Sequence, residues 1–213
     1  MRILIAVPTY ENIYPDTFKS IYGLDGGEHE LMFDFVRGYD VGTARNNIAR
    51  LAMECESDYV LMVDNDVVLP QDALLHLIEN NKDVCLGYYA HRDKRDNLYR
   101  GNTCICRIED DNGNPFFGYP IESEYSAKHI QSLRKRGHFC VLAHGGGMGC
   151  ALIKTSVFRS ISFPYFAWAN YDNGKNMSED LHFCEQCHKA GIGVYFDTRV
   201  ACGHVFRHIQ FPV

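Results

Sequence analysis

The sequence predicts an α/β protein with a mostly parallel central sheet between two layers of helices. Three observations carry that expectation. Residues 3–7 and 59–63 are unbroken apolar runs of strand length, as in strands covered on both faces. Strand-like and helix-like segments alternate through the first half of the chain, the order that builds parallel sheets. Residues 42–56 place Ala44, Ile48, Leu51, Ala52 and Cys55 on one helical stripe, suited to pack on a sheet.

The elements follow in order. After the first strand, residues 14–22 form a helix ended by "GLDGG". Residues 30–36 are a second strand, and Thr43 is placed to cap the helix over 42–56. The third strand, 59–63, runs into Asp64-Asn65-Asp66. Pro70 suits the first position of a helix over 70–81, and 83–89 is the fourth strand. In the second half, residues 103–119 read as a hairpin about Asn112-Gly113, and 123–136 as a helix with a basic end. Residues 138–143 form a strand before the run "HGGGMG", and "CALIKTSVF" continues as a strand or a strand-to-helix step. A helix over 178–192 takes Ser178 as N-cap, acids in its first turn and Gly191 at its end; "GVYFD" is a last short strand. Residues 1–213 are expected to form one continuous domain, a nucleotide-binding half over about 1–90 and an acceptor-facing half beyond it.

Bulk properties exclude several classes. With 46% hydrophobic and 23% charged residues in 213, the chain is globular. A net charge of -6 argues against a nucleic-acid binder working through a broad basic face. No apolar run reaches membrane-spanning length, and the first run breaks at Pro8 without a cleavage signal. The nine cysteines are therefore expected as free thiols in a reducing cytoplasm.

The chemistry gathers at strand ends. Open parallel sheets bind ligands beyond the carboxyl ends of their strands. "VPTYEN", "GTARNN" and "DND" all fall there. Asp64 and Asp66 either hold a hard divalent cation through oxygen ligands or are solvated acids of a turn. Strand alternation would send both to one side and Asn65 to the other, making Asn65 the least important of the three. "CEQCH" (184–188) matches a haem-attachment pattern, but no export signal or second ligand pair accompanies it.

In this order the motifs resemble a GT-A fold glycosyltransferase, closest to the family 2 type. "VPTYEN" is similar to that family's opening element, and "ARNNIARLA" with "DYVLMVDND" to its A-R-N and D-x-D stretch. "GYYAHR", "GGGMGCALIKTSVF", "SED" and "GHV" resemble its later elements, so the likeness spans almost the whole chain. The resemblance implies Asp66 as the main carboxylate on Mn2+ or Mg2+, with His204 as a further ligand and His208 as its rival. It implies Asp64 beside the donor ribose or a metal-bound water. Pro8, Thr9, Tyr10 and Glu11 would border base and ribose, and Arg45 would lie near the base or phosphates. Gly146 and Gly147 would line the donor sugar. Asp180 would be the general base on the acceptor hydroxyl, with Glu179 orienting donor or acceptor. Arg92, Lys94, Arg95 and Arg100 either close over the donor or form a solvated loop. The aromatic segment around Trp168 either stacks on sugar or packs as a lid.

The implied function is transfer of a sugar from a nucleoside-diphosphate-sugar donor to an acceptor hydroxyl, with inversion favoured. The partners are that donor and a saccharide or other hydroxyl acceptor, with no nucleic acid and with a homo-oligomer left open. The alternative is a non-catalytic nucleotide-sugar or carbohydrate-binding protein on the same fold.

Overall fold

The computed structural model describes residues 1–10, 12–90, 103–105, 127–170, 176–205 and 209–210. In chain order the elements are β1 (Arg2–Thr9), α1 (Pro15–Tyr22), β2 (Glu30–Arg37), α2 (Val41–Glu54), β3 (Tyr59–Val63), β4 (Val67–Val68), α3 (Ala73–Glu79) and β5 (Val84–Tyr88). They continue with β6 (Cys104–Ile105), α4 (Ala127–Lys135), β7 (Cys140–Ala143), β8 (Gly145–Gly146), β9 (Cys150–Lys154) and α5 (Val157–Ser160). The last are β10 (Ala169–Asn170), β11 (Asn176–Met177), α6 (Glu179–Lys189), β12 (Val194–Ala201), β13 (Gly203–Val205) and β14 (Ile209–Gln210).

Seven strands form the central sheet in the order β2-β1-β3-β9-β5-β12-β7. The β2/β1, β1/β3 and β5/β12 ladders are parallel; β9 runs against both its neighbours, and β7 runs against β12. Five strands thus share one direction, so the sheet is mostly parallel as expected. The strand order was not expected. Between β3 and β5 lies β9, a return strand from the second half of the chain. Its first four residues are buried, which suits a central position.

Period-two alternation sorts the strands into two cores. On one face Leu4, Ala6, Val60 and Met62 pack with Ile48 and Ala52 of α2, Ile130 of α4, Phe158 of α5, and Phe183 and Cys187 of α6. On the other, Ile3, Ile5, Leu61 and Val63 pack with Ile21 of α1 and with Leu74 and Leu77 of α3. Helices therefore cover both faces, giving three layers. Among the described residues no helix is long and apolar enough to cross a membrane.

Two helix starts differ from expectation. Asp40, not Thr43, caps α2: its Oδ1 accepts from the Thr43 amide at 3.0 Å and its Oδ2 from the Thr43 hydroxyl at 2.8 Å. These bonds lower the Asp40 pKa from its ordinary value. α3 begins at Ala73, after Pro70 and Gln71 have formed a turn in which the Ala73 amide reaches the Pro70 carbonyl at 3.1 Å. The Ser178 start of α6 and the positive φ of +74° at Gly191 are as expected. Apart from Thr103, Cys104 and Ile105, the expected hairpin over 103–119 lies outside the described residues, as do residues 123–126 of the expected helix.

A separate three-stranded sheet, β14-β13-β4, matters most for the site. β4 immediately follows Asp66, and His204 of β13 pairs with Val67. The late chain is thereby brought against the turn that closes β3.

Candidate active site

The turn after β3 is tight. The Asp64 amide donates to the Gly149 carbonyl at 3.0 Å, and the Val67 amide to the Asp64 carbonyl at 3.1 Å. The two readings of D-x-D are thus compatible: residues 64–66 are a turn, and that turn borders a cavity. The cavity, about 340 Å3, is also lined by Pro8 and Thr9 at the end of β1, by Tyr10 just after it, and by Tyr39 and Asp40 before α2. Glu11 lies outside the described residues. Asn65 does not simply face away. It lines the same cavity, its side-chain amide donates to the Asn12 carbonyl at 2.7 Å, and its carbonyl accepts from the Tyr14 amide at 3.0 Å. Strand alternation failed here because the chain has already left the strand.

Asp66 meets His204. Oδ2 lies 3.4 Å from Nε2, and the Asp66 carbonyl accepts from the Val205 amide at 2.7 Å. The other ring nitrogen of His204, Nδ1, lies 2.8 Å from the Ala90 carbonyl. Donation there fixes the ring and turns Nε2 toward Asp66, as in outer-shell support of a metal ligand. His208 lies outside the described residues. Among the described residues no three His, Cys, Asp or Glu side chains gather as a metal cage. One carboxylate and one oriented imidazole still fit Mn2+ or Mg2+, which keep open positions for waters and substrate phosphate oxygens.

Arg45 is the hidden centre. It is 2% exposed; Nη2 donates to Asp64 Oδ1 at 2.6 Å and Nη1 pairs with Glu179 Oε1. The guanidinium therefore joins α2, the turn after β3 and the first turn of α6. Its paired nitrogens point at protein carboxylates, whereas the sequence reading put it near base or phosphates. Burial opposes its charge, but Asp64, Glu179 and Asp180 outweigh burial and hold it protonated more firmly than usual. Burial pushes the Glu179 carboxyl up, Arg45 pulls it back, and Asp180 pushes it up again. Asp180 Oδ1 accepts from the Ser178 hydroxyl and from the Leu181 amide, the latter at 2.8 Å. Ser178 thus orients Asp180; its side chain makes no capping bond to the helix backbone.

Tyr89 was missed. Its hydroxyl accepts from the Gly149 amide at 3.0 Å, and its ring meets His204 edge-on at 5.2 Å. Burial raises its pKa well above the ordinary value, so the phenol stays protonated. The sequence signals were its place at the end of the fourth strand and within "GYYAHR", and neither gave it a role. Tyr89 also gives a structural reason for Gly147, one of the two glycines expected to line the donor sugar, and for Gly149 of the same run. A Cβ on Gly147 would fall 2.4 Å from the Tyr89 hydroxyl oxygen, and one on Gly149 would fall 2.6 Å from it and 2.9 Å from Asp64 Oδ2. Gly146 lies in β8, paired to Cys104. Gly147→Ala is therefore expected to cost about 1–3 kcal/mol. The loss, read by urea unfolding, should shrink in Gly147→Ala with Tyr89→Phe, where the hydroxyl is gone and the nearest remaining ring carbon is 3.1 Å away.

"CEQCH" packs the core. Cys184 and Cys187 are buried, and burial pushes the Cys184 thiol up to about 12, away from thiolate chemistry. His188 Nε2 lies 2.7 Å from the His144 carbonyl, and the two rings stack at 5.2 Å. Arg92, Lys94, Arg95 and Arg100 lie outside the described residues.

No protein-family model and no curated protein matches the sequence. Solved structures do match. A197 from STIV aligns with a TM-score of 0.60 at 18% identity, covering 100% of this chain and 91% of that one. GalNAc-T7, solved with UDP, GalNAc and Mn2+, aligns with a TM-score of 0.57 at 11% identity, covering 97% of this chain and 44% of that one. At such identities the likeness concerns architecture alone: three layers about a mostly parallel seven-stranded sheet, which is the GT-A fold.

Proposed function

We propose that this chain is a glycosyltransferase of the family 2 type. It would move a sugar from a nucleoside-diphosphate-sugar donor to an acceptor hydroxyl, with inversion and with help from a divalent cation. The observation that carries this reading is the meeting of Pro8, Thr9 and Tyr10 at the end of β1, residues 64–66, His204 and, through Arg45, the acid end of α6. The ordered motifs of the sequence support the family type, and the likeness to GalNAc-T7 supports the architecture.

Electrostatics favour a cation. Three carboxylates, Asp64, Glu179 and Asp180, act on the one guanidinium of Arg45, and a fourth, Asp66, faces His204. A diphosphate would be repelled from such a site unless a cation entered with it. Asp66 and His204 would hold Mn2+ or Mg2+, which would neutralise charge developing on the leaving diphosphate. Pro8, Thr9 and Tyr10 at the end of β1, with Tyr39, would border the nucleoside. Asp180, oriented by Ser178, would take the proton of the acceptor hydroxyl as that oxygen attacks the anomeric carbon from the face opposite the diphosphate. Glu179, committed to Arg45, would hold this arrangement without touching the proton.

A thermal-shift panel of nucleoside diphosphates, with and without Mn2+, tests the binding half of the proposal. We expect one base to stabilise the protein only when Mn2+ is present, and Asp66→Ala to abolish that shift. Equal stabilisation with or without metal, unchanged in Asp66→Ala, would overturn the metal role. Binding intact but without nucleoside diphosphate release from any nucleotide sugar would favour the non-catalytic alternative.

A further inference from the structure

A second cavity opens beside the donor cavity. It measures about 400 Å3 and runs between one face of α2 and the loop 163–168. Asp40, which caps α2, and Asn47 and Arg50 on the helix supply one wall; ten residues of helix span about 15 Å. Phe163 and Trp168 supply the facing wall and are 63% and 61% exposed.

This exposure is built in. Asn46 clamps the loop: its amide donates to the Phe166 carbonyl at 2.7 Å, and its side-chain oxygen accepts from the Tyr165 and Phe166 amides at 2.9 and 3.2 Å. Phe166 is buried and stacked on Phe183 at 4.7 Å. The loop is thus tied down at its centre, and the aromatics on either side are held outside the core. Rigid aromatic faces opposite hydrogen-bonding side chains suit a ligand with one apolar face and polar edges. Arg50 Nη2 donates to Asn47 Oδ1 at 2.6 Å, which presents both groups together. A pyranose ring has that character: C–H groups on its face, hydroxyls at its rim.

The groove also leads to the chemistry. Asp40 lines both cavities. At the same end of α2, a Cβ on Gly42 would lie 3.1 Å from Asp40 Oδ1, 3.4 Å from the Phe166 carbonyl and 3.5 Å from Glu179 Cβ. The groove's upper end therefore adjoins the first turn of α6, where Asp180 sits. We propose that this groove binds the sugar chain of a saccharide acceptor, with one pyranose stacked on Trp168 and its hydroxyls on Asn47 and Arg50. The word acceptor rests on the glycosyltransferase reading; saccharide binding in the groove does not.

Trp168 is the only tryptophan, so its emission reports this groove without interference. The full chain is titrated with uncharged three- to five-unit oligosaccharides (cello-, malto-, manno- and N-acetylchito-series) in the presence of Mn2+ and UDP. We expect one series to give a saturable change in emission and at least a twofold fall in acrylamide quenching. Asn47→Ala and Arg50→Ala should each weaken that titration about tenfold, as for loss of a hydrogen bond worth roughly 1.4 kcal/mol. Both variants should keep the parent's thermal shift with nucleoside diphosphate. The proposal falls if no series protects Trp168, or if protection is unchanged in both variants. Protection without any nucleotide-dependent shift would sink the donor reading and leave the groove standing.

Discussion

Arg45→Met is expected to destabilise the protein by about 3–5 kcal/mol at neutral pH, the usual cost of leaving buried charge without its partner. Methionine fills much of the space but takes from Asp64 and from Glu179, only 4% exposed, the guanidinium they share. The sign with pH is specific. Burial already raises the Glu179 pKa above its ordinary value, and Arg45 is what restrains that rise. Without Arg45 the folded-state pKa climbs further, so the native state binds a proton more tightly than the unfolded chain. Stability of the variant should therefore rise as pH falls toward the acid range and decline as pH rises. The deficit measured by urea unfolding should be smaller at pH 5.5 than at pH 8. Arg45→Met with Glu179→Gln should recover much of the loss, since the amide buries no charge. Arg45→Lys should recover little, because one ammonium cannot serve two carboxylates as a planar fork does. An Arg45→Met protein as stable as the parent at pH 8 would mean that the pair contributes nothing.

Much of this arrangement was legible in the sequence. The buried strands β1 and β3 announce themselves by composition, α2 by its stripe, and the start of α6 by Ser178 and its acids. These are local signals, and local energetics fix them. What stayed hidden depends on pairing between distant segments. Nothing in "CALIKTSVF" says that it enters the sheet between β3 and β5, because an apolar strand fits any central slot. Nothing in "CGHV" says that it pairs with Val67 and Val68; the resemblance supplied His204, and the small sheet shows how the chain reaches it. Arg45 was noticed as part of a motif but given a ligand to touch. Its burial, and hence its two carboxylates, follows from the packing of α2 against α6. Tyr89 lay within "GYYAHR" but was given no role, yet it sits against Gly147, Gly149 and His204 together. A glycine run in sequence suggests a ligand's backbone cradle; here a buried tyrosine supplies a sufficient reason for two of its members.

The two acids of "SED" should separate by experiment as cleanly as they do in space. Asp180→Asn is expected to reduce turnover by about 10²–10⁴-fold, the range for removing a positioned general base. The Michaelis constant for the proposed donor should change little, because Asp180 is not among the residues lining the cavity beside residues 64–66. The free energy of unfolding should also change by no more than about 1 kcal/mol, because Asp180 acts on buried Arg45 through its charge alone while Asp64 and Glu179 stay bonded to it. Asparagine keeps an oxygen that can accept from the Ser178 hydroxyl and the Leu181 amide, so only the proton-accepting function is lost. Glu179→Gln should behave in the opposite sense. It weakens the tie between α6 and Arg45, so the unfolding midpoint moves, while residual turnover keeps the parent's dependence on pH. The diagnostic measurement is the pH profile of turnover per bound donor. Loss of its acid limb in Asp180→Asn alone would identify the group that takes the acceptor's proton. Retention of that limb in Asp180→Asn, with its loss in Glu179→Gln, would transfer the role to the buried acid and require the Arg45 pair to open during turnover.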